Sequence, residues 1–340
     1  MIRVAAVFAL LSFNTYTVIA ILFAAITFTG MWAMYMTFAK IRPQAYQELA
    51  TAVFFLPSVF FWGSGLLKDS LCMGALGWLF YAFYRGAIQR RNVIRCLVLG
   101  VGAGAVILAM KTYILLAFMP PALLWVFNEN TSGIRSVAVR LVVKPLFLIV
   151  GAAVALYAMA QIAATDARFN LEKIGEQSKL TADYLQQVSK TEQGSGYNIG
   201  EQDGTLGGMA KLAPQAVVVA LFRPFPWEAR NPTMLLSALE SAYFLFLTLR
   251  ILRRVGVLKT FVAIGSVPVL TLCFVFSLIF AISVGISSGN FGTLVRYKIP
   301  LMPFYLSGLY ILQSITVPAA KTASNQRRAN GSVPVLAGRG

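Results

Sequence analysis

The sequence predicts an all-α, polytopic transmembrane helix bundle of about nine spans with one extracytoplasmic loop of about 50 residues, and three observations carry that expectation. First, the 340 residues are 58% hydrophobic, only 12% charged, and include 25 Phe. That is more apolar surface than a soluble domain hides in its core, so a bilayer is the solvent. Second, the apolar residues fall in runs of roughly 20, the length a helix needs to cross a hydrocarbon core. Third, the Lys and Arg residues behind a net charge of +17 sit in the joints between those runs. A nucleic-acid reader would gather them on one wet face, whereas the positive-inside rule explains them as they stand.

In chain order, runs near 15–38, 48–67, 70–84, 93–110, 112–127 and 142–163 form a first membrane unit, residues 1–164. Residues 165–232 follow as the extracytoplasmic loop, and its apolar run Ala216 to Leu221 is too short to cross, so it is expected to be re-entrant or interfacial. Runs near 233–252, 260–285 and 299–316 complete the bundle within residues 233–316. Residues 317–340, rich in Ser, Asn, Gly and Pro, read as a disordered tail.

Strict alternation of the spans places every basic joint in the cytoplasm: Lys40 with Arg42, the group Arg85, Arg90, Arg91 and Arg95, then Arg135, Arg140 and Lys144, and finally Arg250, Arg253, Arg254 and Lys259. The tail falls on the same side, so the C-terminus is expected to be cytoplasmic. The long loop falls outside with Asp166, Glu172, Glu176, Asp183, Glu192, Glu201 and Asp203, most of the 12 acids of the chain. The apolar stretch from Val4 to Phe38 runs on without a small-residue cleavage site, so no cleavable signal peptide is read. Alternation puts residue 1 outside, which is awkward for an uncleaved chain and leads to the expectation that upstream helices are missing from this sequence.

Several chemistries lose support at this level. The chain has no His, and Cys72, Cys96 and Cys273 lie in or beside apolar runs without a CxxC spacing. A disulfide framework, a zinc site and a histidine base are therefore not expected. There is no P-loop, no GxGxxG after a strand and no GxSxG elbow.

A charge at mid-bilayer costs about 2.5–3.5 kcal/mol on insertion scales, so charges inside or beside spans are the residues to question. Four groups stand out, all on the predicted outer side. The first is the stretch from Leu56-Pro57-Ser58 through Trp62 and Gly65 to Lys68-Asp69-Ser70, which joins two spans with almost no loop. Broken, polar helix ends line cavities, although a tight helical hairpin with Lys68 snorkelling would leave the same trace. The second is Lys111, at the turn between two spans. The third is Arg223-Pro224-Phe225-Pro226-Trp227-Glu228-Ala229-Arg230, where prolines forbid regular helix and arginines stand at headgroup depth, either to grip phosphate or as part of an aromatic anchor. The fourth runs from Asn290 to Pro303 with Arg296 and Lys298. Glu240, two turns into a span, needs a polar interior or a partner and reads as structural. Convergence of four groups on one face is read as one extracytoplasmic site.

The stretch Phe55-Leu56-Pro57-Ser58 to Lys68-Asp69, the Arg223-Pro224-Phe225-Pro226-Trp227-Glu228 turn and the Asn290 to Pro303 stretch resemble those of bacterial polysaccharide-assembly membrane proteins, similar to polyprenyl-phosphate-sugar-dependent GT-C-type glycosyltransferases. The resemblance implies a multi-pass protein of the bacterial inner (plasma) membrane that moves a sugar from a polyprenyl-phosphate-linked donor to a glycan or lipid acceptor on the outer face. It implies Asp69 or Glu228 as the catalytic carboxylate, and Lys68, Lys111, Arg223, Arg230, Arg296 and Lys298 as cations for the phosphate. Trp62, Trp227 and Tyr197 would stack on sugars. No cofactor or metal ligand set is implied, a divalent ion is left open, and the partners are the bilayer, the lipid-linked sugar and the acceptor, with no nucleic acid. Such enzymes typically carry an essential acid on the first outer loop. This chain has no acid before Glu48, which falls on the cytoplasmic side, so the resemblance implies an N-terminally truncated member. A polymerase or ligase of undecaprenyl-diphosphate-linked glycans, a secondary transporter and a non-catalytic envelope scaffold are the alternatives.

Overall fold

The computed structural model describes residues 1–131, 174–191, 195–200 and 203–316, and among these the architecture is all-helical, without a strand. The elements are α1 (Ile2–Leu11), α2 (Tyr16–Ile41), α3 (Tyr46–Phe54), α4 (Pro57–Ser64), α5 (Lys68–Ala82), α6 (Val93–Thr131), α7 (Ile174–Thr191), α8 (Leu206–Phe222), α9 (Pro232–Val255), α10 (Val257–Ser266), α11 (Pro268–Ser287), α12 (Phe291–Tyr297) and α13 (Met302–Thr316). Among the described residues, five helices are long and apolar enough to cross a membrane: α2, α5 with the π-turn that extends it to Ile88, α6, α9 and α11. The chain is thus built as a multi-pass membrane protein.

Local chemistry sets the boundaries. Asn231 caps α9 by accepting a hydrogen bond from Met234 N at 2.7 Å, with Pro232 in the first turn, where its missing N–H costs nothing. The same helix ends on Arg253 and Arg254, whose charges suit the negative end of the helix dipole, before Gly256 turns the chain at φ 88°. Asn290 caps α12 in the same way, through Thr293 N at 2.8 Å.

Packing then joins the helices. A Cβ on Gly30 would collide with the Gly74 carbonyl, and one on Gly77 with the Gly30 carbonyl, so α2 and α5 touch backbone to backbone as small residues permit in membranes. Around them an aromatic core is centred on Phe304 of α13. Its ring lies 5.7 Å from Phe38, 5.2 Å from Phe80, 5.8 Å from Phe118 and 5.0 Å from Phe276, drawing α2, α5, α6 and α11 together in edge-to-face contacts.

The structure revises the span pattern. The expected span 48–67 is two short helices, because Pro57 starts a new helix at α4 and breaks the run at Phe55 and Leu56. The runs 93–110 and 112–127 are the two arms of α6, and Lys111 between them is non-helical, with φ −147° and ψ 76°. Both arms return to the same level: Gly86 meets Cys96, while the Tyr84 ring lies 6.1 Å from Trp125. A straight helix would separate Cys96 from Trp125 by about 43 Å, so the chain reverses at Lys111. The expected loop, residues 165–232, contains α7 and the whole of α8. The run Ala216 to Leu221 is the last part of that 17-residue helix, which packs along α11 with Ala216 against Gly285. At the start, α1 is separate from α2 because Phe13 and Asn14 take positive φ. The expected span 142–163, the basic group at 135–144 and the tail 317–340 lie outside the described residues.

Candidate functional site

The break between α4 and α5 places Asp69 in the first turn of α5, where a carboxylate complements the helix dipole. Ser70 holds the break closed by donating to the carbonyls of Gly65 and Trp62. Asp69 is 2% exposed and both of its oxygens are used. Lys111 Nζ, brought inward by the reversal of α6, pairs with Oδ1. Arg296, from the last turn of α12, reaches Oδ2 through Nε and Nη2, each at 2.7 Å.

Aromatic rings wall this cluster. The Lys111 ammonium lies 4.6 Å from the centre of the Tyr297 ring and 5.8 Å from that of Tyr113, and the Arg296 guanidinium lies 5.4 Å from Trp62. These contacts hold cations in a place with little water. One acid against two bases leaves the cluster cationic. Arg296, with its side chain 31% exposed, is its outlet, and exposed Lys68 adjoins Asp69. A guanidinium keeps further N–H donors after serving one carboxylate oxygen. The arrangement can therefore receive an anionic group, phosphate above all.

A second node lies on the turn after α8, which includes a cis Arg223–Pro224 bond. Arg223 Nε donates to Glu228 Oε2 at 3.1 Å and Nη2 to Oε1, so the pair is bidentate. Glu228 also accepts from Phe225 N at 2.8 Å. Burial alone would raise the Glu228 carboxyl, but the Arg223 bonds and charge and the Phe225 N–H outweigh it and hold the group below its ordinary value. The guanidinium lies 4.9 Å from the Phe291 ring and 5.9 Å from the Tyr197 ring.

Beneath this turn, Lys298 is 1% exposed and donates to Arg223 O at 3.1 Å and Ser241 Oγ at 2.9 Å. Burial pulls its ammonium down to about 8, against the attraction of Glu240. Glu240 is 6% exposed and accepts from Ser58 Oγ and, at 3.4 Å, from Ser58 N at the start of α4. The costly acid in a span is thus held by a hydroxyl, a backbone N–H and a nearby ammonium.

The structure brings together four of the residues singled out from sequence: Trp62, Asp69, Lys111 and Arg296. Arg223 and Glu228 form their own pair. Lys298 faces inward and uses its ammonium on the protein. Tyr197 is 6% exposed, with its hydroxyl donating to Gly285 O at 3.1 Å, so its ring is a wall and not an open platform. Trp227 is 79% exposed and stacks on Phe225 at 4.7 Å, and Arg230 is exposed on the same turn. Tyr113, Tyr297 and Ser241 were not singled out, and Ser58 was named only as part of its stretch. Tyr113 and Tyr297 each stand beside a singled-out lysine or arginine, which is the one signal that could have found them. Among the described residues, no three His, Cys, Asp or Glu side chains gather as a metal site would need. No protein-family model, curated protein or solved structure matches the chain.

Proposed function

We propose that this chain is a membrane-embedded glycosyltransferase of GT-C-like type in the bacterial inner membrane. It would move a sugar from a polyprenyl-phosphate donor to a glycan or lipid acceptor on the extracytoplasmic face during assembly of a surface polysaccharide or glycoconjugate. The observation that carries the reading is the Lys111–Asp69–Arg296 cluster: a buried carboxylate clamped by two cations where one helix is broken and another reverses, beside exposed Lys68 and half-buried Trp62.

The cluster suggests a sequence of events. A donor phosphate entering past Lys68 and Trp62 competes with Asp69 for Arg296 and Lys111. The released carboxylate then takes the proton of the acceptor hydroxyl as the hydroxyl oxygen bonds to the anomeric carbon. The bond from that carbon to the phosphate oxygen breaks, and the two cations stabilise the departing phosphate. Asp69 is assigned the base role because it lies in the cationic cluster that would receive the donor phosphate, whereas Glu228 is committed to a bidentate pair with Arg223 on the neighbouring turn. Glu228 serves instead to hold Arg223.

The test is the surface glycan of cells lacking the protein, complemented with wild type, Asp69→Asn or Arg296→Ala at matched membrane levels. Failure of the well-expressed variants, with lipid-linked sugar accumulating, is the expected result; full rescue by both sinks the proposal. A second reading, a secondary transporter, draws on the buried Glu240 and Lys298 beside the broken helix α3–α4, since coupling sites in transporters sit on discontinuous helices. A glycan unchanged by deletion, together with altered solute uptake, would favour it.

A further inference from the structure

Away from the Asp69 cluster, a cavity of about 300 Å³ lies between α7, the segment 195–200 and the end of α11. Small-molecule pockets start at about this size. Lys179, Asp183 and Gln186 recur along α7 at helical spacing and form one wall. Tyr197, Asn198 and Ser288 form the other.

The walls specify a ligand class. Ser288 is 1% exposed, and its Oγ makes no hydrogen bond of good geometry among the described residues, standing only within reach of the Tyr197 phenol. Natural proteins rarely leave a buried hydroxyl in this state, so it is a group available to a ligand. Asn198 spends its carbonyl oxygen on Gly200 N at 2.8 Å, leaving its amide N–H donors for another partner. Gln186 adds a second amide, able to donate and accept. Lys179 and Asp183 carry opposite charges one turn apart, so the cavity has no net charge to attract an anion, and its polar walls do not suit an acyl chain.

We propose that this cavity binds a neutral sugar ring, through the amides of Gln186 and Asn198, the hydroxyl of Ser288 and the edge of Tyr197. Its role as an acceptor-glycan subsite rests on the transferase reading; the binding itself does not. The cavity is joined mechanically to the cationic cluster. Tyr197 N donates to Gly289 O at 3.2 Å and Phe291 N to Ser195 O at 2.9 Å, so the cavity wall runs directly into α12, which carries Arg296 in its last turn. Gly289 to Arg296 spans about 10 Å along a helix, a distance bridged by a short oligosaccharide. A side chain at Gly289 would strike the backbone of α7 at Ala182, so the glycine sets how closely α7 approaches.

The test is saturation-transfer NMR on the full chain in lipid nanodiscs. The probes are free glucose, galactose, mannose and N-acetylglucosamine, with glycerol phosphate as the anionic comparison. At least one neutral sugar should bind, with its dissociation constant raised at least about tenfold by Gln186→Leu and by Ser288→Val, and unchanged by Asp69→Asn. Absence of binding by all four sugars, binding insensitive to both cavity variants, or cavity-dependent binding of glycerol phosphate alone would each overturn the proposal. Sugar binding that survives while Asp69→Asn and Arg296→Ala both fully rescue the surface glycan would leave the subsite standing and remove the transferase.

Discussion

Arg296 Nε lies 2.7 Å from Asp69 Oδ2, although 227 positions separate the two residues. Since Lys111 holds the other oxygen, the reversal of α6, the break before α5 and the last turn of α12 are fixed on one carboxylate. Removing that carboxylate leaves a buried ammonium uncompensated. Asp69→Ala should therefore lower stability in detergent by about 3–5 kcal/mol. The double variant Asp69→Asn with Lys111→Met, which removes both buried charges, should recover much of that loss. Thermal unfolding of the two proteins decides it: equal destabilisation would mean that the pair is not coupled.

Charge alone should not replace Arg296. Its guanidinium touches Asp69 through two nitrogens while lying against Trp62, and a lysine ammonium reproduces neither the fork nor the stacking. Polyprenyl phosphate binding to the chain in nanodiscs should weaken by about tenfold or more in Arg296→Ala, and Arg296→Lys should recover little of it. Full recovery by lysine would reduce the site to a point charge.

The Arg223–Glu228 pair has a pH signature with a definite sign. The Glu228 carboxyl is held below its ordinary value in the folded chain. The pair thus contributes its full stability above the ordinary carboxylate pKa of about 4.3, and that contribution is lost as pH falls through the depressed folded value. Melting temperatures taken downward from pH 6 should fall more steeply for wild type than for Glu228→Gln. Parallel curves would show that the pair contributes nothing to folding.

Much of this was legible in the sequence because insertion energetics leave strong marks. Long apolar runs announced α2, α9 and α11, and the costs of Asp69, Lys111 and Arg296 near apolar runs marked the residues that meet. The reversal at Lys111 was legible for the same reason, a lone cation between two apolar arms. What the sequence hid depends on tertiary contact. Lys298 reads as an outward cation two positions after Arg296, but the helical turn that aims Arg296 at Asp69 aims Lys298 at Ser241. Helix α8 was obscured because Leu206 to Gln215 is too weakly apolar to mark a span, and packing on α11 supplies what the local pattern lacks.

The α2–α5 contact offers a stability test independent of function. Gly77→Ala sets a methyl against the Gly30 carbonyl, so the two backbones must part, at a cost of about 1–3 kcal/mol or more. Gly104→Ala is the control. A Cβ there meets nothing within 4 Å, and alanine in a helix interior should gain up to about 1 kcal/mol. Unfolding in detergent should move in opposite directions for the two; a shared direction would contradict the backbone contact.

Lys298 gives the last test, and its pH slope has the same sign as that of Glu228 but lies in the alkaline range, because here burial disfavours the charged form. Burial lowers its folded pKa to about 8 from the ordinary 10.5, so between those values the unfolded chain binds the proton more readily than the folded one. Folding therefore becomes more favourable as pH rises through about 8 and gains no more above 10.5. At neutral pH the ammonium is charged in both states, and its burial is offset by Arg223 O, Ser241 Oγ and nearby Glu240. Subtracting the stability of Lys298→Met from that of wild type at each pH isolates this group from the tyrosines and other lysines that titrate alongside. The difference should grow in favour of wild type from pH 8 to pH 10. A flat difference would mean that the ammonium has kept its ordinary affinity for protons, and hence that water reaches Lys298.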